Sequence, residues 1–263
     1  MYHSKNQKEF IKKRKKEKRI ILLTQISIIA IIILGWELLT YFEIINSFIY
    51  SSPSKIMLTI KDLAITGNLL SHIITTLSEV LIAFTLGIIL GFIISVIFYE
   101  YPLIAKIFDP FLTVLNSLPK VALGPIIIII AGANTKSIII MALLINLIVS
   151  ITTIYNGFLN TDKTKIKMFT TFKASKTQIL SKLVIPNSYT TIISSLKLNI
   201  ALTLIGVITG EFLVSKKGIG YLIIYGTQVF NLDLVMSGIL LLLIISYILY
   251  KLVITLEKKL LHH

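Results

Sequence analysis

Long apolar stretches alternate with short polar ones along the chain. Six of them are long enough to cross the roughly 30 Å hydrocarbon core of a membrane as helices. Their approximate bounds are 20–41, 72–98, 108–131, 137–158, 186–212 and 235–256. The pattern predicts an all-α, polytopic membrane protein with six transmembrane helices over 20–256, a basic tail over 1–19 and a short tail over 257–263.

The third apolar stretch contains several residues that weaken a helix. Pro110, Pro119 and Pro125 each lack an amide donor, and Gly124 loosens the backbone further. Such a backbone is tolerated at membrane depth only where it is buried in protein or lines a water-filled cavity. We therefore expect this span in the interior of the helix bundle.

The composition agrees with a membrane protein. Charged residues make up 14% of the chain, against about 25% in soluble domains, and the mean hydropathy is +0.89. The net charge of +14 does not indicate nucleic acid, because the lysines lie in the tail and in the loops beside apolar spans. There is no cysteine, and the histidines show no metal-ligand spacing, so we predict neither a metal nor a cofactor.

The distribution of lysine and arginine predicts the orientation in the membrane. With the N-terminus in the cytoplasm, the inner segments 1–19, 99–107, 159–185 and 251–263 hold nineteen of these residues. The outer segments hold five. Cytoplasmic segments are enriched in lysine and arginine, so we expect both termini to be cytoplasmic.

The longest inner segment, residues 159–185, combines lysines with apolar positions, and we call it the long loop. Ser175 and Gln178 have the spacing of a capping box, which predicts the start of a second short helix after a first one. The apolar stripes of these two helices are Ile166, Phe169 and Phe172, and then Ile179, Leu180 and Leu183. The pair of helices is predicted either to lie on lipid as an amphipathic hairpin or to dock on a partner.

Several motifs of the chain resemble those of the permeases of binding-protein-dependent ABC importers. "KASKTQILSKLVIP" matches the later part of that family's cytoplasmic Glu-Ala-Ala (EAA) loop, "FDPFLTVLNSLPKVALGP" its Asp-Pro and Leu-Pro segment, and "TGEFLVSKKGIGYLI" its Glu followed by Gly-Leu-Gly. The resemblance covers roughly residues 50–240 in the family's order. It is nearest to the nitrate, sulfonate, taurine and thiamine-precursor branch.

The resemblance implies a type I importer permease (MetI-like) bundle that carries a small solute. It also implies that the chain lies in the cell membrane and has three partners. These are a cytoplasmic ABC ATPase, a second permease copy (identical or paralogous) and an extracytoplasmic solute-binding protein. The chain has no phosphate-binding loop, so ATP hydrolysis is expected in the separate ATPase and no catalytic residue is predicted here. The loop residues carried over for ATPase coupling are Phe169, Phe172, Lys173, Ala174, Ser175 and Pro186.

The chain also departs from the family pattern. The family's Glu-Ala-Ala positions are occupied by Lys167, Met168 and Phe169, and its loop glycine by Lys173. A helix that ends there requires a left-handed residue, which costs lysine about 1 kcal/mol, unless the turn is built differently. In the second span the family's arginine corresponds to Glu79. We expect an acidic groove in the ATPase to compensate for the altered charge of the loop.

Polar residues inside the spans are candidates for the substrate path. They are Asn146 and Ser150 in the fourth span and Asn199 and Thr203 in the fifth. The alternative is that these side chains hydrogen-bond between helices.

Lys120 and Glu211 are charged residues inside the predicted spans. Lys120, near the middle of the third span, is expected to face the pore or a carboxylate. Glu211 lies beside Lys216 and Lys217 and is interpreted as part of a surface pair.

Two other classes of membrane protein remain as alternatives. An ion-coupled secondary transporter would use carboxylates in the membrane and usually contain inverted repeats, and no second half mirrors the first. A membrane-embedded enzyme would need a catalytic constellation, and none is evident.

The predicted orientation can be tested by labelling single cysteines, because the native chain has none. We expect impermeant reagents to label positions 55 and 216 from outside and position 173 only from the cytoplasm. Labelling of position 173 from outside would contradict the topology and the interpretation of the long loop.

Overall fold

The computed structural model describes residues 5–261, and within them all regular structure is helical. Residues 1–4 of the basic tail and residues 262–263, which include three of the four histidines, lie outside this range. The first three helices are α1 (Lys5–Tyr41), the single turn α2 (Ser47–Tyr50) and α3 (Pro53–Ile65).

Four further helices form the first half of the bundle: α4 (Asn68–Glu100), α5 (Pro102–Ser117), α6 (Gly124–Ala131) and α7 (Thr135–Leu159). A 3₁₀ turn, Lys120–Leu123, joins α5 to α6.

The second half contains α8 (Lys163–Thr171), the single turn α9 (Lys176–Ile179), α10 (Ile185–Val214), α11 (Ile219–Gln228) and α12 (Leu232–Leu261). A π-helical segment, Leu180–Val184, links α9 to α10, so that Lys176–Val214 forms one continuous helix.

The helices confirm the predicted all-α membrane architecture. Five are long and apolar enough to cross a membrane, and the pair α5–α6 makes a sixth span if it is counted as one. That pair bends by 95° at its break, which falls at Leu118 and Pro119. The weak backbone predicted for the third span is therefore a sharp break.

The expected interior position of the third span is wrong for the single chain. Ala105 is the one buried residue of α5, and α6 buries only Gly124 and Ile127. The side chains of Ile129 and Ile130 are 82% and 81% exposed. The proline-rich span lies on the surface of the chain because the interior is already filled by α4, α7 and α10.

The centre of the bundle is the contact of α7 with α4 and with α10. Gly87 and Gly91 of α4 face Asn146 and Ser150 of α7, with no room for a further carbon atom between them. Small residues at four-residue spacing on α4, Ala83, Gly87 and Gly91, permit this close approach.

Helix α1 stands apart from this bundle. Its apolar side chains from Ile20 to Leu34 are exposed, and it contacts the rest of the chain mainly near its C-terminal end. There the carboxylate of Glu37 accepts hydrogen bonds from the backbone N–H (3.0 Å) and the hydroxyl (2.8 Å) of Ser54. Lipid or another chain must cover the remainder of α1 in the membrane.

The contact between α7 and α10 predicts the effect of one methyl group. A Cβ atom added at Gly206 would lie 2.5 Å from the Cα atom of Ala142, and backbone cannot rotate out of the way. We expect Gly206→Ala to destabilise the folded chain by about 1–3 kcal/mol, measured by thermal unfolding in detergent. Gly35→Ala is the matched control, because nothing lies within 4 Å of that position; equal effects would contradict the packing argument.

Candidate functional site

The long loop begins with a capped helix. The carboxylate of Asp162 accepts a hydrogen bond from the backbone N–H of Thr164 (2.7 Å) at the start of α8. This bond stabilises the charged form and lowers the pKa of Asp162 below its ordinary value. The loop thus enters α8 at a fixed point just below the end of α7.

The turn after α8 has the geometry of a Schellman motif. The N–H of Ala174 donates to the carbonyl of Phe169 (3.1 Å), and the N–H of Lys173 donates to the carbonyl of Thr170 (2.9 Å). Lys173 has a φ of +58°, so the left-handed conformation that the helix end requires is confirmed. The turn therefore has a backbone conformation that favours glycine, although a lysine occupies the position.

The predicted capping box is also confirmed. The hydroxyl of Ser175 accepts from the N–H of Gln178 (3.3 Å), and the Gln178 side chain accepts from the N–H of Ser175 (2.8 Å). The second short helix is not separate, however, since it continues through the π-helical segment into α10. Pro186 has no N–H to donate to the residue four positions earlier, and the wider π turn directly precedes it.

The apolar face of the loop packs on the membrane helices. Phe158 of α7 and Val184 are fully buried there, and Ile166, Phe169 and Ala174 pack against the cluster that they form. Ile179 and Leu180 are buried in the same cluster and Leu183 packs at its edge, as the second stripe predicts. The face assigned to lipid in the hairpin interpretation is therefore occupied by protein.

Phe172 is the exception in the first stripe. Its side chain is 78% exposed, whereas that of Phe169 is half-buried. Positions three residues apart drift around a helix, and α8 ends at Thr171, so Phe172 turns away from the cluster. An open cleft of about 560 Å³ lies beside it; its lining residues are Met168, Phe169, Phe172, Lys173, Ala174, Gln178 and Lys182.

The four polar residues of the fourth and fifth spans lie between helices. The Asn146 amide donates to the carbonyl of Ala83 (3.1 Å) and to the hydroxyl of Thr203 (2.6 Å). The Ser150 hydroxyl donates to the side-chain oxygen of Asn199 (3.0 Å). Asn146, Ser150, Asn199 and Thr203 all have 0% exposure. In the single chain they bond α4, α7 and α10 together and line no opening.

Lys120 lies in the 3₁₀ turn at the break between α5 and α6. Its ammonium group donates to the carbonyl (3.0 Å) and the side-chain oxygen (3.3 Å) of Asn116, one turn earlier. Among the described residues it forms no ion pair with a carboxylate. The lysine therefore stands at the exposed side of the broken span.

The interpretation of Glu211 as a surface residue is wrong. Its side chain has 0% exposure and accepts hydrogen bonds from the Thr76 hydroxyl (2.6 Å) and the N–H of Gly220 (2.5 Å). Gly218, with a φ of +114°, turns the chain back so that α11 begins against Glu211. We call Thr76, Glu211 and the turn Gly218–Gly220 the outer junction, because the predicted orientation places them on the outer side of the membrane. In the sequence, the Gly-x-Gly spacing after Glu211 is the feature that could have indicated this turn.

His72 completes the outer junction. Its Nδ1 atom lies 3.0 Å from both the backbone nitrogen and the carbonyl oxygen of Gly218. The ring stacks on that of Tyr221, with 5.9 Å between the ring centres. The histidine thus fastens α4 to the first turn of α11.

Comparison with known proteins agrees with this architecture. The family described as "Binding-protein-dependent transport system inner membrane component" matches residues 83–262. SsuC of Bacillus subtilis (strain 168), named as an aliphatic sulfonates transport permease, is 26% identical over 254 residues, covering 96% of this chain and 92% of its own. The formylaminopyrimidine transport permease ThiX of Halalkalibacterium halodurans is 25% identical over 173 residues, covering 65% and 69%.

A solved structure has the same fold. A chain from the inward-facing structure of the MetNI methionine ABC transporter superimposes with a TM-score of 0.63 at 15% identity. The superposition covers 75% of this chain and 98% of that one. The MetI-like helix bundle is therefore established as the fold.

The left-handed conformation of Lys173 predicts that glycine would stabilise the turn. A side chain in this conformation costs about 1–2 kcal/mol, and the greater flexibility of unfolded glycine offsets about 0.5–1 kcal/mol of that. We expect Lys173→Gly to slow hydrogen exchange at the amides of residues 173 and 174 several-fold. Lys173→Ala removes the same charge but keeps a Cβ atom, so equal slowing in both variants would contradict the conformational argument.

Proposed function

This chain belongs to the family of inner-membrane components of binding-protein-dependent transport systems, and we propose that it docks a separate ABC ATPase through the long loop. The members of the family are transport components and not enzymes. The exposed Phe172 is the observation that carries the proposal. Its ring is exposed at the surface of the loop, whereas its apolar neighbours Ile166, Phe169 and Ala174 pack against the buried cluster.

The surface around Phe172 has the composition of a docking site. An exposed aromatic side chain beside a cleft is a frequent anchor at protein interfaces. Lys173 and Lys182 line the same cleft, and Lys167 and Lys176 lie nearby in the loop. These cations favour an ATPase groove that is acidic, where they would steer association and form pairs at the rim.

We further propose that a second permease copy covers the broken third span. Non-helical backbone at membrane depth must be buried in protein or line a water-filled cavity. In the single chain Leu118 is 42% exposed at the break, so lipid would meet non-helical backbone there. A second copy that packs on α5 and α6 removes this exposure and places Lys120 beside the path between the copies.

The solute is proposed to be small, and an extracytoplasmic binding protein is proposed to deliver it. The names of the relatives support this class, since they describe permeases for aliphatic sulfonates and formylaminopyrimidine. Lys120 would attract an anionic solute to the path. The four buried polar residues of the fourth and fifth spans are assigned to helix packing and not to the path.

The docking proposal predicts the effect of removing one aromatic ring. We expect Phe172→Ala to weaken binding of the co-expressed ATPase by roughly 30-fold, corresponding to about 2 kcal/mol for a central anchor. The residual binding should fall further at high salt, because rim pairs are screened. Co-purification of the ATPase with the full chain, at low and high salt, measures both effects.

Phe230→Ala is the matched control, because its ring is 76% exposed but lies between α11 and α12, outside the long loop. It should leave the yield of ATPase unchanged. A loop that rests on lipid predicts normal ATPase binding for Phe172→Ala as well, and that result would overturn the docking proposal.

A further inference from the structure

The hydrogen bonds of the outer junction favour the ionised form of Glu211. The Thr76 hydroxyl accepts from the N–H of Ile219 (2.8 Å), so its own proton is directed to Glu211 (2.6 Å). The second oxygen of Glu211 accepts from the N–H of Gly220. Both oxygens are thus acceptors at the N-terminus of the ten-residue helix α11, where a negative charge is favoured.

Glu79 lies beside this carboxylate but lacks the hydrogen bonds that Glu211 accepts. Its side chain is 1% exposed, one helical turn after Thr76 on α4, and its carboxyl group reaches that of Glu211. Neither of its oxygens has a hydrogen bond of normal geometry, although the Thr135 side chain lies close to the carboxyl group. A second carboxylate in this position would be a buried charge without a partner, next to a charge of the same sign.

Nearby cations do not neutralise the pair. The ion pair that forms in the described part of the chain joins Lys197, near the middle of α10, to Glu257. Lys216 and Lys217 line an outer cleft of about 360 Å³ that Glu79 also borders, but neither is paired with it.

Within the described residues, the other polar and charged groups of the adjoining elements form no ion pair with Glu79. From α4 and α11 the neighbours are His72, which is held by Gly218, and Tyr221, which stacks on that histidine. From the start of α7 come Asn134 and Thr135, which line the same cleft, followed in sequence by Lys136. These groups leave the buried Glu79 carboxyl without a counter-ion.

We propose that Glu79 and Glu211 form a buried proton-binding site, in which Glu79 carries one proton and donates it to the Glu211 carboxylate. Two carboxyl groups in contact share a proton because both cannot remain ionised. The shared proton satisfies the otherwise unpartnered Glu79 and adds a hydrogen bond between α4 and α10. The outer cleft gives it a route of exchange with the outer medium.

This proton joins the elements that close the outer junction. Thr76 and Glu79 are on α4, Glu211 is on α10, and α11 begins at the residues that Glu211 and Thr76 hold. Removing the proton would leave two adjacent negative charges between α4 and α10. The site therefore makes the outer junction dependent on the pH of the outer medium.

Infrared spectroscopy of the full chain in lipid tests the proposal directly. At pH 7 exposed carboxyl groups, whose ordinary pKa values are about 3.9–4.3, are ionised and show no acid carbonyl band. We expect the wild type to show the carbonyl band of a protonated carboxylic acid at pH 7, and to lose it at high pH. Glu79→Gln should abolish the band, whereas the control Glu257→Gln, at the ion pair with Lys197, should retain it.

Absence of the acid band from the wild type at pH 7 would overturn the proposal. This outcome needs no variant, so the proposal can be tested even if Glu79→Gln does not fold. Persistence of the full band in folded Glu79→Gln would also overturn it. Loss of the band on addition of Na⁺ or Ca²⁺ at constant pH would identify a metal cation as the occupant instead. The readout requires neither the ATPase nor transport, so it is independent of the proposed docking function.

Discussion

The structure depends on the close approach of α4, α7 and α10. In hydrocarbon the hydrophobic effect does not draw helices together, so packing and interhelical hydrogen bonds must do so. Gly87 and Gly206 bring the backbones near, and Asn146 then reaches both α4 and α10 with one amide group. The polar residues that suggest a solute path in the sequence form hydrogen bonds between these helices instead. This closed centre supports the proposal that a solute passes at the surface of the chain, between two copies.

That surface is provided by the third span. Its helix is interrupted at Leu118 and Pro119 near the surface of the chain, and Lys120 follows directly after the break. A broken, exposed span is unstable against lipid but suited to a boundary between two chains with water between them. The residues that prevent a regular helix are therefore the ones that indicate where the path between two copies would lie.

The sequence predicted local features better than contacts between helices. The capping box at Ser175 could be inferred from residue spacing, and the left-handed Lys173 from the resemblance to the family's loop, because both depend on a few neighbouring residues. The exposed position of Phe172 and the buried position of Glu211 could not, because each depends on where a turn directs the following helix. The surface position of α5 and α6 was missed for a similar reason. Proline content indicates that a span needs cover, but not whether the same chain provides it.

The two functional ends of the molecule are connected by one helix. Lys176–Val214 starts inside the long loop and carries Glu211 near its other end, and α7 packs along it in between. A displacement of the loop by a partner must therefore be absorbed either within this helix or at the outer junction. The π-helical segment Leu180–Val184 is the one irregular part of it, but Leu180 and Val184 are buried against Phe158, which restricts bending there. The outer junction is held by hydrogen bonds to Glu211 and by Ile219, which is fully buried in the main core cluster. If the long loop docks a partner as proposed, a displacement there would reach the outer junction through this one helix.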